Sequence, residues 1–402
     1  MEWTPEQEEL RDAVRAVLAR HPGHAAWAPL TAQVGAAALA VPEEYGGLGC
    51  GAAEVGVVMA ELGRALSPVP YLGSAVLTVR ALLAAGDEES CAKYLPALAD
   101  GSLVGALAWA ETPGGGVGRG GWEAADMATR AEPNGGGWLL TGTKRYVLAG
   151  PSEPSLVLVF ATIGGDPDPE PEPGTGTGTG TGTEPGRRTA ISPGGQGNGS
   201  PSSPGQGNGS GRLALFELTA PPAAFTPRST VDRTRPLAEL TLARTPARLL
   251  SPDGAGVLAR VRDLACTALA AEQAGAAGAA LEATVRYAKD RVQFGRPIGS
   301  FQAVKHRLAD MYAAVESARS MALAAAAADA PPHLAAAAKS ACSQAYSYVA
   351  GEMIQLHGGI GITWEHEAHE FFKRAHGSAL LFGSPAEHRT RLAAELGYVR
   401  AG

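Results

Sequence analysis

The segment from Arg291 to Gln302, RVQFGRPIGSFQ, combines residue types that can bind a phosphate beside an aromatic ring system. The guanidinium of Arg291 is a planar fork that matches two phosphate oxygens. Phe294 offers an aromatic platform, and the Gln302 amide can donate and accept hydrogen bonds. A structural interpretation fits as well, because an arginine at the end of a helix is favoured by the helix dipole. The residue types alone leave both interpretations open.

A second segment, QLHGGIGITWEHEAH (355–369), is rich in glycine. Gly358, Gly359 and Gly361 allow a backbone to approach a ligand closely, and adjacent glycines can point amide groups at an anion. A tight turn between two helices explains the same residues. Both interpretations again stay open.

Histidines and cysteines are not spaced like the ligands of a metal site. His366 and His369 lie three residues apart beside acidic residues, which fits a solvated helix surface or interface contacts better than a metal. The four cysteines, at positions 50, 91, 266 and 342, are far apart and include no CxxC pair. We therefore predict no metal and no disulfide framework.

Charge and hydropathy exclude several classes of partner. The chain has Lys+Arg 33 and Asp+Glu 40, a formal net charge of −7, and no basic run stands out. Nucleic acid is therefore not a predicted partner. The N-terminus lacks a positive stretch followed by an apolar one, and no window holds 18 consecutive apolar residues without charges. We expect no secretory signal and no membrane span, and a cytoplasmic location.

Hydrophobic periodicity divides the chain into three blocks. Residues 1–103 show helical spacing, with Thr4, Pro5 and Gln7 fitting the start of a capped helix and a second helix expected over 53–63. Residues 104–245 contain short, β-branched apolar runs that predict strands at 103–110, 138–150, 156–162, 212–218 and 238–244. Residues 246–402 are Ala-rich and predict long antiparallel helices over 264–289, 301–328 and 334–357.

The β block carries an insert of unusual composition at about 163–211. GTGTGTGTGT begins at Gly174, and GQGNGS occurs at 195–200 and again at 205–210. Such a stretch has no apolar surface to bury against the entropy of ordering. We expect a disordered Gly/Pro/Thr-rich insertion without chemistry, since long loops add little closure entropy.

Extended to RVQFGRPIGSFQAVKHRLADM (291–311) and QLHGGIGITWEHEAHEFFKRA (355–375), the two segments resemble the acyl-CoA dehydrogenase family of flavoproteins. The resemblance covers nearly the whole chain and is looser in the β block. GITWEHEAH (361–369) is similar to segments of an actinobacterial lipid- and steroid-catabolism branch. The resemblance implies an α+β fold with an N-terminal helical domain (1–103), a middle β-barrel-like domain (104–245) and a C-terminal four-helix bundle (246–402).

The resemblance also implies FAD, bound between the β domain and the C-terminal helices of a homo- or hetero-tetramer. On the matching positions, Arg291 binds the FAD pyrophosphate. The other positions that match cofactor contacts are Gln293, Phe294, Ile298, Phe301, Gln302, Ser384, Trp109, Ala110 and Tyr146, with Gln355, Gly358 and Gly359 from the adjoining chain. Ala110 departs from the family by replacing a hydroxyl residue at the flavin ring, and Leu148 stands where threonine is usual.

The reaction implied is α,β-dehydrogenation of an acyl-CoA thioester, with electrons passed to an electron-transfer flavoprotein. A carboxylate in a desolvated cleft must remove the α-proton. Phe382 stands at the usual position of this base and Ala265 at the alternative one, and neither can accept a proton. The acids left as fallback bases are Asp263 and Glu272, although an interhelix structural role suits Glu272 better.

Three hypotheses follow from this mismatch. The first is an FAD-dependent acyl-CoA dehydrogenase of fatty-acid or steroid side-chain catabolism. The second is a base-deficient structural subunit that completes the FAD site of a catalytic paralogue. The third is a flavin oxidase or biosynthetic enzyme with altered chemistry.

Overall fold

A computed structural model describes residues 3–111, 127–148, 150, 153–164 and 211–398. The predicted insert lies outside these residues except at its two ends, and the whole glycine loop that follows Glu111 (112–118) also lies outside them. The family-like order of helical, β and helical blocks is confirmed in the part of the chain that is described.

The N-terminal block consists of five α-helices around an apolar core. The helices are α1 (Pro5–Arg20), α2 (Trp27–Val34), α3 (Ala52–Arg64), α4 (Val79–Ala85), which continues a π-helical segment (Leu72–Thr78), and α5 (Glu88–Ala99). The predicted cap of α1 is present: Thr4 Oγ1 accepts from Gln7 N at 3.3 Å, and Thr4 N donates to Gln7 Oε1 at 3.2 Å. Reciprocal capping of this kind satisfies two amides that the first turn leaves unpaired.

The middle block is a seven-stranded mixed sheet that closes on itself. Its strands are β1 (Gly105–Ala108), β2 (Arg130–Asn134), β3 (Gly137–Leu148), β4 (Leu156–Ile163), β5 (Arg212–Leu218), β6 (Ala224–Arg228) and β7 (Leu237–Ser251). Neighbours run β1-β4-β2-β3-β7-β5, and β5 also pairs with β4, which closes the ring. The barrel-like domain is confirmed, and closure gives each of the five strands of the ring β4-β2-β3-β7-β5 two neighbours, which leaves fewer exposed strand edges.

Two features of this sheet differ from the sequence-based expectations. The strands β2 and β6 were not predicted, because Pro133 and Pro227 and their polar neighbours argue against strands. Strand β7 continues past the boundary expected at residue 245, although Arg244 has φ +53° and Pro246 follows. Pairing of Ala247 with β3 and of Arg248 with β5 carries the strand through this irregularity.

The C-terminal block is built on one long helix. It contains α6 (Gly254–Asp290), the two-residue strands β8 (Val292–Gln293) and β9 (Arg296–Pro297), α7 (Gln302–Ala327), α8 (Pro332–His357), α9 (Ala368–Leu380) and α10 (Pro385–Glu395). Helix α6 begins at Gly254, well before the predicted start at Leu264. By length and composition α6 could cross a membrane, but 94% of its most apolar 18-residue stretch is buried inside the fold.

Helix α6 packs against α3 so closely that side chains are excluded at the crossing. A Cβ added at Gly275 would lie 2.0 Å from Ala60 O, and one at Gly63 would lie 2.1 Å from Glu272 O. Because the obstructing atoms are backbone, they cannot move aside cheaply. The small residues of α6 therefore set the distance between the N-terminal and C-terminal blocks.

We predict that Gly275→Ala destabilises the fold by roughly 1–3 kcal/mol through overpacking. The matched control is Gly351→Ala in α8, where an added Cβ meets nothing within 4 Å. That change should stabilise the protein by about 0.5–1 kcal/mol, the usual gain of alanine over glycine in a helix. Urea denaturation of both variants measures the difference, and equal effects at the two sites would contradict the close crossing.

Candidate functional site

The β8–β9 hairpin presents the first predicted cofactor residues to solvent. Arg291 caps α6, with its N–H donating to Tyr287 O at 2.8 Å, and Ile298 N donates to Arg291 O at 2.8 Å. Phe294 at the hairpin tip is 91% exposed and has φ +56°. A bulky side chain seldom adopts this left-handed conformation. An exposed ring held in this way is a surface suited to cover a ligand.

The other predicted cofactor residues of this segment lie on the hairpin and in the turn and helix that follow it. The Phe294 and Phe301 rings lie 6.2 Å apart in an edge-to-face arrangement, and the Arg296 guanidinium lies 4.0 Å from the Phe301 centroid. Gln293 and Gln302 are exposed, while Ile298 is half-buried. The hairpin and the start of α7 thus expose amides, the Phe294 ring and two guanidiniums.

The predicted glycine turn lies at the same end of the bundle in one chain. Gln355, Gly358 and Gly359 are exposed, and a Cβ at either glycine would meet nothing within 4 Å. Tyr287, one turn before Arg291, donates from its hydroxyl to His357 O at 3.2 Å, and its ring stacks on the His357 ring with centroids 4.2 Å apart. The two predicted segments are therefore brought to one end of the bundle by contacts between α6 and α8.

The predicted flavin-ring residues are divided between the core and the surface. Trp109 and Ala110 are buried, whereas Tyr146 is 52% exposed with φ +55°. Lys144 is fully buried, forms an ion pair with Glu111 and donates to Trp109 O at 3.3 Å. Burial lowers the pKa of Lys144 to about 8, against the opposing effect of Glu111. This ion pair anchors the backbone at Trp109 and Glu111.

Phe382 fills the position at which the base is expected. Its side chain is 2% exposed, and its ring centroid lies 5.3 Å from that of Trp109. Phe382 and the following Gly383 have φ values of +66° and +102°. Ala265, at the alternative position, is fully buried in the same apolar cluster. Both positions are therefore occupied by apolar groups in the core.

Phe382 lies in the short segment between α9 and α10, and the buried side chains of His388 and Lys339 bind the backbone of that segment. His388 Nε2 lies 2.9 Å from Phe382 O, and Lys339 Nζ donates to Gly383 O and Ala379 O at 3.1 Å each. Burial, with a contribution from nearby Lys339, lowers the pKa of His388 to about 3, so its ring is neutral at neutral pH. Burial likewise lowers the pKa of Lys339 to about 8. The left-handed backbone at Phe382 is thus tied at its own carbonyl and at the next one.

The fallback base Glu272 is bound in a buried ion cluster. Its Oε1 accepts from Arg374 Nε at 3.0 Å and forms a second ion pair with Arg235. Burial acts to raise the pKa of Glu272, but the two guanidiniums outweigh it and the pKa is lowered. Because a paired carboxylate of lowered pKa is a weak proton acceptor, this geometry favours the structural role.

The other fallback base and Ser384 also have structural partners. Asp263 forms an ion pair with Arg391, and its Oδ1 lies 3.6 Å from Arg262 Nε. Ser384 caps α10, with its hydroxyl accepting from Glu387 N at 3.3 Å. Among the described residues, no group of three or more His, Cys, Asp and Glu could hold a metal ion.

Comparison with known proteins places this geometry in a family. Family models for the acyl-CoA dehydrogenase N-terminal and C-terminal domains match residues 4–102 and 254–397. Acyl-CoA dehydrogenase IpdE2 of Mycobacterium tuberculosis is 37% identical over 407 residues, covering 97% of each chain. The chain belongs to the acyl-CoA dehydrogenase family. The family membership supports an oxidoreductase.

Two solved structures extend the similarity to the whole fold. A chain of a variant of the Tcur3481-Tcur3483 steroid ACAD matches with TM-score 0.74 and 28% identity, covering 98% of both chains. A chain of the ChsE4-ChsE5 complex from Mycobacterium tuberculosis matches with TM-score 0.77 and 26% identity, covering 100% of this chain and 99% of that one. The family fold expected from the sequence is confirmed.

Membership of the acyl-CoA dehydrogenase family implies FAD. The described residues suit the ADP half of this cofactor better than its flavin half. The end bearing Arg291, Phe294 and Gly358 has exposed cationic, aromatic and open backbone groups, which suit a dinucleotide pyrophosphate. The flavin end provides the exposed Tyr146 ring, while Ala110 O already accepts from Arg145 N at 2.8 Å. The fit is therefore best for the ADP half.

Sequence reasoning missed the buried basic residues that surround these positions. Lys339, His388, Arg235 and Arg374 are each less than 9% exposed. One usable signal was present, since Lys339 is a lone charge within the Ala-rich run HLAAAAKSACSQA. A lone lysine at a core position of a helix needs internal acceptors, and only the folded chain shows which carbonyls supply them.

We predict that Lys339→Met changes how stability depends on pH. The folded-state pKa of about 8 lies below the ordinary 10.5, so the unfolded chain binds more protons between these values. Through this group, the free energy of unfolding of the wild type therefore rises as the pH increases from about 8 to 10.5. Below pH 8 Lys339 is charged in both states, and its burial destabilises the fold to the full extent. The stability of the variant relative to wild type should fall as the pH rises from about 8 to about 10.

Urea denaturation at four pH values from about 7 to about 10 measures this difference. Lys305→Met, which removes an exposed lysine from α7, is the control for the loss of a positive charge. If the difference in free energy of unfolding between Lys339→Met and wild type does not change with pH, the charged form of the buried Lys339 amine is not destabilised in the folded state.

Proposed function

We propose that this chain is the base-deficient, FAD-site-completing subunit of a hetero-oligomeric acyl-CoA dehydrogenase. The assembly would carry out α,β-dehydrogenation of an acyl-CoA thioester in fatty-acid or steroid side-chain catabolism in the cytoplasm, with an electron-transfer flavoprotein as acceptor. The observation that carries the proposal is Phe382, buried against Trp109 at the position of the usual base. A phenyl ring cannot accept the α-proton, so a second chain must supply the carboxylate.

The similar structures support an assembly of two chain types. One is named for two proteins, Tcur3481 and Tcur3483, together with a steroid, and another is named as a complex of ChsE4 with ChsE5. A partner paralogue with an intact glutamate would restore the missing base. The steroid branch expected from GITWEHEAH is consistent with the first of these names.

Within the assembly, the described residues have distinct roles toward the cofactor and substrate. FAD held by these residues would supply the acceptor for a hydride from the β-carbon. Arg291 would hold the pyrophosphate by charge-assisted hydrogen bonds, and Phe294 would cover a ring of the cofactor. Lys144 and Glu111 keep the backbone at Trp109 in place, and Phe382 excludes water from the apolar core behind it.

A self-sufficient dehydrogenase is less well supported. It would need Glu272 or Asp263 as the base, and each is paired with arginine, Glu272 with Arg235 and Arg374 and Asp263 with Arg391. A flavin oxidase is the third candidate, and it predicts that the purified chain consumes oxygen with substrate.

We predict that Arg291→Ala lowers the FAD content of the purified protein. The lost charge-assisted contact is worth about 1.5–3 kcal/mol, so occupancy should fall roughly tenfold or more at limiting FAD. Arg291→Lys should restore only part of the binding because an ammonium lacks the planar fork. Arg244→Ala, which removes an exposed arginine from the β domain, is the control, and unchanged flavin after Arg291→Ala would refute this assignment.

The second prediction introduces a carboxylate at the positions of the missing base. The isolated wild-type chain should reduce its flavin very slowly with any saturated acyl-CoA. Phe382→Glu or Ala265→Glu should raise the rate of flavin bleaching, since general-base catalysis supplies about 10²–10⁴-fold. Phe382→Gln is the matched control, with the same cavity and side-chain size but no base.

The outcomes distinguish the candidates. Rapid bleaching by the unmodified chain alone would overturn the base-deficient assignment, and Glu272 and Asp263 would be mutated next. If neither glutamate variant bleaches, the cleft of this chain does not admit the thioester, which supports a purely structural subunit. Co-expression with a paralogue that carries the glutamate should then produce the activity.

A further inference from the structure

One face of α9 is exposed in this chain. Phe371 and Arg374 belong to the opposite face and are buried. Phe372, His376 and Leu380 are exposed, and they recur at intervals of four residues, which places them on one side of the helix. The Phe372 and His376 rings lie 4.2 Å apart, and Leu380 is 58% exposed. The face is therefore a continuous strip of two rings and an aliphatic side chain.

Trp364 extends this strip toward the glycine turn. The ring centroid of Trp364 lies 4.6 Å from that of His369 and 3.9 Å from Lys373 Nζ, and both of these residues lie on α9. Despite these contacts Trp364 is 68% exposed, and Ile362, two residues earlier, is 72% exposed. Ile362 ends the turn that begins at Gly358. Exposed apolar side chains thus run from the glycine turn onto α9.

A second cation contacts the indole from the β domain. The Arg233 guanidinium, in the loop before β7, lies 4.9 Å from the Trp364 centroid. Attraction between these cations and the ring orients the indole without covering it. In the part of the chain that the structure describes, no carboxylate lies within ion-pair distance of Arg233 or Lys373. We call this surface the Trp364 patch, and it consists of Arg233, Ile362, Trp364, Phe372, Lys373 and Leu380.

The Trp364 patch has the composition of a protein–protein contact. Contiguous apolar surface that is rimmed by polar groups marks interaction sites on soluble proteins. Tryptophan and arginine are the residue types that most often dominate the binding energy of an interface. Because Lys373 and Arg233 already orient the indole, little side-chain freedom is lost when a partner covers it. An apolar protein surface therefore suits the patch.

Charge decides which kind of chain fits. In a two-fold contact between two copies of this chain, the same patch faces itself. Arg233 and Lys373 of both copies would then meet, and like charges brought together in an interface disfavour association. A different chain that places carboxylates opposite these two cations would instead be attracted.

The position of the patch agrees with a contact to a different chain. The Trp364 patch adjoins Gly358 and Gly359, which the family resemblance places against the FAD of an adjoining chain. In the proposed hetero-oligomer, the adjoining chain is the one that carries the catalytic glutamate. The chain that holds this FAD is therefore the partner nearest to the patch.

We propose that the Trp364 patch binds the catalytic partner chain of the hetero-oligomer, through an apolar surface that carries carboxylates opposite Arg233 and Lys373. The proposal rests on the proposed function, and it adds the surface by which the two chains recognise each other. Trp364 supplies the apolar contact, and the two cations select against pairing of this chain with itself.

Dissociation of the purified complex tests the proposal. The full-length chain is co-expressed with a paralogue that carries the missing glutamate, and sedimentation of the complex over a dilution series gives the dissociation constant. Trp364→Ala should raise this constant roughly thirtyfold or more, as truncation of a dominant interface residue does. Arg233→Gln combined with Lys373→Gln should raise it roughly tenfold at low salt and weaken its dependence on ionic strength. Arg244→Gln, which removes an exposed arginine from β7, is the control and should leave the constant unchanged.

Two further measurements separate contact from folding. Trp364 and Arg233 are exposed and Lys373 is half-buried, so the melting temperature of the isolated chain should change little in these variants. Photo-crosslinking through Ile362→p-benzoylphenylalanine keeps Trp364 and both cations, and it should attach the paralogue to this chain. Attachment to a second copy of this chain instead would overturn the choice of partner.

The failure of this proposal and that of the proposed function are distinguishable. If the complex forms and wild type, Trp364→Ala and the double variant share one dissociation constant, the patch is not the contact surface, while the hetero-oligomer stands. If the wild-type chain does not associate with the paralogue, both the partner contact and the hetero-oligomer are refuted. If the variants assemble normally but no longer pass electrons to an electron-transfer flavoprotein, the patch binds that protein and the choice of partner is wrong.

Discussion

A single buried carboxylate joins the three blocks of this protein. Glu272 lies on α6, and its Oε1 contacts Arg235 from the β domain and Arg374 from α9. Arg374 reaches on to Ser67 O of the N-terminal block. Removing one member of such a cluster costs about 3–5 kcal/mol, because the remaining charge is left buried without a partner. The relative placement of the three blocks depends on this cluster.

The same cluster makes Glu272 a poor proton acceptor. A glutamate whose charge is stabilised by two guanidiniums is poorly suited to remove an α-proton. Phe382, for its part, is held in a left-handed conformation by bonds from His388 and Lys339 to successive carbonyls. The protein thus uses a buried histidine and a buried lysine to keep an apolar ring at the position where the family resemblance leads us to expect an acid. This is the physical argument for a subunit that depends on a partner for catalysis.

Much of the fold could be predicted because it depends on local patterns. The Thr4–Gln7 cap and the ends of α3, α7 and α8 were predicted closely, since capping and helical periodicity are local signals. The strands β2 and β6 were missed because their prolines are tolerated only where the neighbouring strands β3 and β7 supply the pairing. The end of β7 depended on long-range pairing, which the sequence did not mark. The start of α6 carried a local signal that was missed, since Asp253 caps the helix by accepting from Gly256 N at 3.1 Å.

By itself the sequence determined the family, the order of the three blocks and the residues that could bind a dinucleotide, because those signals lie in contiguous segments such as 291–302 and 355–361. It also determined that Phe382 and Ala265 cannot act as bases, since that follows from side-chain chemistry alone. Only the tertiary structure decided that Glu272 is paired with Arg235 and Arg374, and that Lys339 and His388 hold the segment between α9 and α10. These properties arise between residues 37 positions apart for Arg235 and Glu272, and 102 positions apart for Glu272 and Arg374. Burial and pairing at such separations exist only once the chain has folded.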